Sequence, residues 1–169
     1  MASAGYTVNN SMTGSGQNLS GTLITIMRLN VPASSGKRFF VWELDVGQAG
    51  APNSTDCSVN WFFDQCSSTA AGTGSATTPI PTGGGFVAAG NLDVAVTVAT
   101  GNYTAEPTTY SAAQSFYAKG INQRGAAFWQ AAPGGEWWFP NTASTGPGLR
   151  ASSSNYASTA YGRLNFSEI

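Results

Sequence analysis

The chain has 169 residues, of which only 9% are charged: seven Lys and Arg against eight Asp and Glu, for a net charge of −1, with no histidine. An ordinary domain is about 25% charged, so this surface is built from Ser, Thr, Asn, Gly and Ala. The chain also lacks the side chain that titrates unaided near neutrality, which is the commonest metal ligand. These counts argue against an enzyme and against a resident metal or cofactor; with no run of Lys or Arg to neutralise phosphates, they also argue against direct nucleic-acid binding.

Residues 1–21 are polar and rich in Gly and Ser, and read as an extended or flexible arm, or a weak edge strand, ahead of a single domain over 22–169. The start, Met-Ala-Ser-Ala-Gly, has no basic region leading into an apolar stretch, and no window approaches the roughly 18 apolar residues of a spanning helix. The expectation is a soluble, unexported chain with no membrane contact. Leu23 to Val31 is β-rich without clean alternation, the pattern of a strand covered on both faces. It stops at the Pro32–Gly36 turn.

Phe39 to Val46 alternates, with Phe40, Trp42, Leu44 and Val46 on one face and Glu43 and Asp45 on the other. After the 47–55 loop, Cys57, Val59, Trp61 and Phe63 again share a face opposite Ser58, Asn60 and Asp64. Two such strands can pair as sheet neighbours. Cys57 and Cys66 then stand nine strand steps apart, roughly 30 Å at ~3.3 Å per residue, far beyond disulfide reach, so two free thiols are expected. From 67 to 90 the chain is dominated by Ser, Thr, Gly, Ala and Pro, with Thr78-Pro-Ile-Pro-Thr-Gly-Gly-Gly85 at its centre. An excursion of this length is either a contact loop or a mobile Gly-rich loop.

Leu92 to Val98 alternates as a strand, although its Ala-rich context also permits a short helix. Ser115–Ala118 and Gly125–Gln130 read as strands, and Ala132-Pro-Gly-Gly135 predicts a hairpin from the second of these into Glu136–Phe139. Thr145-Gly-Pro-Gly148 marks a further turn. In the terminal strand Ala160, Gly162, Leu164 and Phe166 alternate against Tyr161, Arg163 and Asn165. The total of roughly seven to nine short strands is the pattern of a single-domain antiparallel β-sandwich, jelly-roll-like, with long loops.

No arrangement in the chain carries recognisable catalysis. Glu43 and Asp45 share a strand face, but a solvated exterior accounts for them; a serine nucleophile finds only Lys37 and Lys119 as bases, in no Ser-Lys motif. Gly83-Gly-Gly85 is followed by no Gly-Lys-Ser/Thr. The aromatic cluster of Trp129, Trp137, Trp138 and Phe139 is more informative: Trp137 and Trp138 are consecutive, so in a strand one faces the core and the other faces out. An outward Trp can anchor a protein interface or stack on a sugar ring.

The second half resembles a family of small structural proteins of tailed bacteriophages. The resemblance is carried, in order, by Asp45-Val-Gly-Gln-Ala-Gly-Ala-Pro-Asn-Ser-Thr-Asp-Cys57, by Asn102-Tyr-Thr-Ala-Glu-Pro107, by Asn122-Gln-Arg124 leading to Ala131-Ala-Pro-Gly-Gly-Glu136, and by Gly146-Pro-Gly-Leu-Arg150. Residues 1–20 take no part in it, and Thr82-Gly-Gly-Gly-Phe86 departs from a more acidic, helix-prone segment of the family. The resemblance implies a virion component made in the host bacterial cytoplasm. It would be a capsid decoration or cement protein on the capsid exterior, binding the major capsid protein as a trimer or dimer, with no catalytic residues. Trp137, Trp138, Phe139, Pro79, Ile80, Pro81 and Phe86 are the expected contacts, with the amino-terminal arm beside them. The alternative is a carbohydrate- or receptor-binding module on the virion surface.

Overall fold

The structure, a computed structural model, describes residues 4–10, 17–19, 21–30, 38–66, 75–76, 79–82, 93–96, 110–139, 145–156 and 159–169. Among them the chain is all-β, a sandwich of two antiparallel sheets. In chain order the strands are β1 (Ala4–Asn9), β2 (Gln17–Asn18), β3 (Ile24–Asn30), β4 (Phe39–Ala49), β5 (Ser58–Cys66), β6 (Ser75–Ala76) and β7 (Ile80–Pro81). They continue with β8 (Asp93–Val96), β9 (Tyr110–Asn122), β10 (Ala126–Gln130), β11 (Trp137–Phe139), β12 (Gly146–Ser152) and β13 (Thr159–Glu168). The front sheet runs β10-β4-β13-β1-β7, with β11 also beside β4 and β2 beside β13; the back sheet runs β6-β8-β3-β12-β5-β9. The order is nested: β1 lies beside β13 in one sheet, and β3 beside β12 in the other.

The core forms where the inner faces meet. Val59, Trp61 and Phe63 of β5 and Leu164 and Phe166 of β13 are fully buried, as their period-2 patterns require. Gly162 belongs to the same inner face: a Cβ there would collide with Leu149 Cδ2 of the opposite sheet, so the missing side chain sets how closely the sheets approach. β3, between β8 and β12, is buried from Thr25 through Leu29, consistent with its unbroken β-rich run. Cys57, just before β5, and Cys66, its last residue, are both free.

Several expected features differ from the structure, each for a local reason. In β4 the buried apolar residues are Phe39, Val41, Leu44 and Val46, not Phe40 and Trp42. The register against β13 shifts between Asn165, opposite Glu43, and Phe166, opposite Val41; the extra residue on β4 is a bulge that inverts the alternation. β4 and β5 are not neighbours but belong to opposite sheets. The 131–136 segment makes a turn, with Gly135 N–H donating to Ala132 O at 2.8 Å and Gly134 at φ +81, but it closes no hairpin. Instead β10 and β11 follow one another along β4, opposite Glu43–Gly47 and Phe39–Val41 respectively, because eleven-residue β4 is long enough to pair with both. Gly146-Pro-Gly148 is strand, not turn. Pro147 precedes the point where pairing with β3 begins at Gly148, a place where a missing N–H is tolerated.

Residues 4–9 of the expected arm form β1, paired with both β13 and β7, and they deliver Tyr6 and Val8 to the core. The 92–98 segment contributes β8, a strand. Of the 67–90 excursion, 75–76 and 79–82 are described, the latter supplying β7; the remainder, with Phe86, lies outside the described residues.

Candidate functional site: the outer face of the front sheet

The two outer faces differ in the side chains they carry. On the back sheet, outward-facing Asp64 is 3% exposed and Thr25 and Cys66 are fully buried. Tyr110 lies across this face, sharing a 3.0 Å hydrogen bond with the Thr25 hydroxyl, with the Arg150 guanidinium 4.0 Å from its ring centre. Arg150 Nη1 also reaches Asp64 Oδ2 at 3.1 Å. This is a buried polar layer with its charges paired, as burial demands.

The outer face of the front sheet instead carries exposed large apolar side chains, Trp138, Phe128 and Ile80. Strand alternation sends Trp137 and Phe139 of β11 inward and Trp138 outward. Trp137 stacks on Trp129 at 3.6 Å between ring centres and meets Phe63 at 5.1 Å, while Phe139 stacks on Phe39 at 4.9 Å. Phe116 of β9 meets Phe139 edge-on at 5.1 Å, so these rings close the side of the sandwich. Trp138 remains 51% exposed and packs on its cross-strand neighbour Phe40 at 4.7 Å. At the far edge Ile80 of β7, opposite Thr7, is 48% exposed, while Pro81 is half-buried and Pro79 is buried.

Of the expected contacts, then, Trp138 and Ile80 share one solvent-facing surface. Trp137, Phe139 and Pro79 pack inward, and Phe86 lies outside the described residues. Phe40 and Phe128 were not anticipated. Phe128, 57% exposed, lies between two inward-facing residues of β10, Ala127 and Trp129, so its parity was the available signal.

The polar part of this face centres on Arg163, whose Nη2 meets Glu43 Oε1 at 2.9 Å and Asp45 Oδ2 at 3.6 Å. Asn165 Nδ2 donates to the same Glu43 oxygen at 2.6 Å. Glu43 and Asp45 therefore act as partners of one guanidinium. No group of three or more metal-ligating side chains occurs among the described residues, and no helix among them is long and apolar enough to cross a membrane.

At one end of the sandwich Gln123 joins two segments that lie far apart in the sequence, 53–57 and 122–124. Buried to 4% exposure, it accepts from Asn53 N–H at 2.9 Å, and its amide nitrogen donates to Thr55 O at 3.0 Å and Asn53 O at 3.3 Å. Arg124 Nε pairs with Asp56 Oδ1 at 3.0 Å. Hydrogen bonds from Arg124 and then Gln123 hold the Asp56 carboxyl below the usual range. Asn122-Gln-Arg124 is thus the clasp of the 53–57 loop.

The fold is a two-sheet antiparallel β-sandwich in which Tyr110 lies over Thr25 on the outer face of the back sheet and the outer face of the front sheet exposes Trp138, Phe128 and Ile80. No protein-family model matches the chain, and neither a curated protein nor a solved structure matches it significantly.

Proposed function

We propose that the chain is a non-enzymatic structural protein of a bacteriophage virion, a decoration or cement protein that docks on the major capsid protein lattice through the Trp138 end of its front sheet. The observation that carries this reading is the half-exposed Trp138, seated on Phe40, on an open sheet face in a chain with so few charges. A rigid aromatic anchor supplies large contact area at small entropic cost, and the Arg163 charge on this face is already paired with Glu43 and Asp45. The nested strand order is compatible with a jelly roll, an architecture that capsid and lectin domains share. Copies on a symmetric lattice, as trimers or dimers, would multiply individually weak contacts through avidity.

The test is to add purified protein to undecorated phage heads and follow head binding and melting temperature. Binding with a raised melting temperature, weakened by Trp138→Ala, is expected. Absence of binding and of any thermal shift overturns the reading.

A further inference from the structure

Away from the Trp138 end, the outer face of the front sheet sinks into a depression of about 350 Å³, at the small end of the range for ligand clefts. Its shape follows from register. Ala126, Gly47 and Tyr161 lie side by side on β10, β4 and β13, so a methyl group and a hydrogen stand where neighbouring positions carry large side chains. Tyr161 forms one wall. The adjoining row supplies Asp45, Arg163 and Asn9, all of which line the depression, and Phe128, opposite Asp45, stands exposed beside it.

The chemistry of this lining restricts what can fill it. Two carboxylates share one guanidinium, so an anion would face net repulsion, and a metal ion would meet Arg163 between its prospective ligands. A purely apolar ligand would strip water from Asp45 and Asn9 without replacing their hydrogen bonds. Hydroxyl groups both donate and accept, so adjacent ones can bond Asp45 and Arg163 together. Asp45 has room for this, because its 3.6 Å approach to Arg163 is longer than a good hydrogen bond and leaves acceptor positions open. The Tyr161 and Phe128 rings offer apolar surfaces for the C–H face of a sugar ring. We infer that this depression is a binding site for a neutral pyranose saccharide, distinct from the Trp138 end and independent of the virion assignment.

The experiment probes wild-type protein with a panel of neutral oligosaccharides built from glucose, galactose, mannose and N-acetylglucosamine. A glycan array is followed by titration while the backbone amides of Gly47, Ala126 and Tyr161 are monitored by NMR. At least one glycan is expected to shift those three amides. Asp45→Ala and Tyr161→Ala should each weaken it at least about tenfold, while Trp138→Ala leaves it unchanged. Ala126→Leu, at an exposed position outside the core, fills the depression and should abolish binding without loss of folding. The inference is overturned if no neutral glycan moves these amides at millimolar concentration, if binding survives Ala126→Leu, or if it is lost with Trp138→Ala instead. Because head binding is read through Trp138 and glycan binding through Asp45, Tyr161 and Ala126, either reading can fail alone.

Discussion

Gly148→Ala should be far more damaging than its single added methyl suggests. Gly148 is central in the back sheet, between Arg28 of β3 and Asp64 of β5. A Cβ there would stand 2.6 Å from Tyr110 Cε1 and 2.7 Å from Cζ, with the hydroxyl oxygen closer still. A rigid ring cannot yield as a flexible chain end does, so Tyr110 must leave its seat. Overpacking of this kind costs about 1–3 kcal/mol. Displacing the ring also forfeits the Thr25 hydrogen bond, worth about 0.5–1.5 kcal/mol, and weakens the Arg150 cation–π contact, worth about 0.5–1 kcal/mol. The sum is roughly 2–5 kcal/mol, a large part of the ~5–15 kcal/mol that holds a domain folded, and corresponds to a melting temperature lower by roughly 5–15 °C. Urea unfolding with an unchanged slope measures it. Tyr110→Ala provides the control, since without the ring the same glycine substitution should cost little, giving a coupling above about 1 kcal/mol. A Gly148→Ala protein within about 0.5 kcal/mol of wild type, or an equal cost in both backgrounds, would refute the reasoning.

Trp137→Ala should lose about 3–5 kcal/mol, because its ring is wedged between Trp129 and Phe63, whereas the half-exposed Trp138→Ala should stay within about 1 kcal/mol of wild type by urea unfolding. Gln123→Ala leaves the Asn53 N–H and two loop carbonyls without their partner; a loss of about 2–4 kcal/mol and faster hydrogen exchange at the Asn53 amide are expected. Burial, and then the nearby Glu168 charge, raise the Tyr6 pKa above its ordinary value near 10. The stability this gives is complete below the unfolded pKa and is lost as pH rises towards the folded one, so melting temperature should fall above about pH 10, and less steeply in Tyr6→Phe.

The strands that were legible in the sequence are those whose alternation runs uninterrupted. In β5 and β13 every second residue enters the core, and the pattern alone identifies the buried face. β4 has equally good alternation, yet one bulged residue near Trp42 divides it into two halves of opposite parity, and composition does not encode where a register will slip. The start of β12 was hidden by the opposite effect: Gly146-Pro-Gly148 has turn chemistry, but β5 on one side and then β3 on the other hold it extended. The 131–136 turn misled because a Pro-Gly-Gly turn signals a change of course, while its partner strand decides whether the chain reverses. That one of Trp137 and Trp138 faces outward followed from parity; which one it is depends on the register of β11 against β4. The depression could not be read at all, because residues 9, 45, 126 and 161 meet only through the pairing of four strands.

The scarcity of charge takes on a more specific meaning once the ion pairs are placed. Arg150 is spent on Asp64 beneath Tyr110, Arg124 on Asp56 at the loop clasp, and Arg163 on Glu43 and Asp45. Each of these guanidiniums thus has a structural partner. What the front sheet then offers is aromatic area at Trp138 and Phe128, beside an Arg163 charge already paired with Glu43 and Asp45. Such a surface attracts little over distance, since long-range steering needs net charge, but it can be covered with a small desolvation penalty. Binding through it should therefore depend only weakly on salt and steeply on the loss of a single aromatic ring. A partner held by charge would show the reverse dependence.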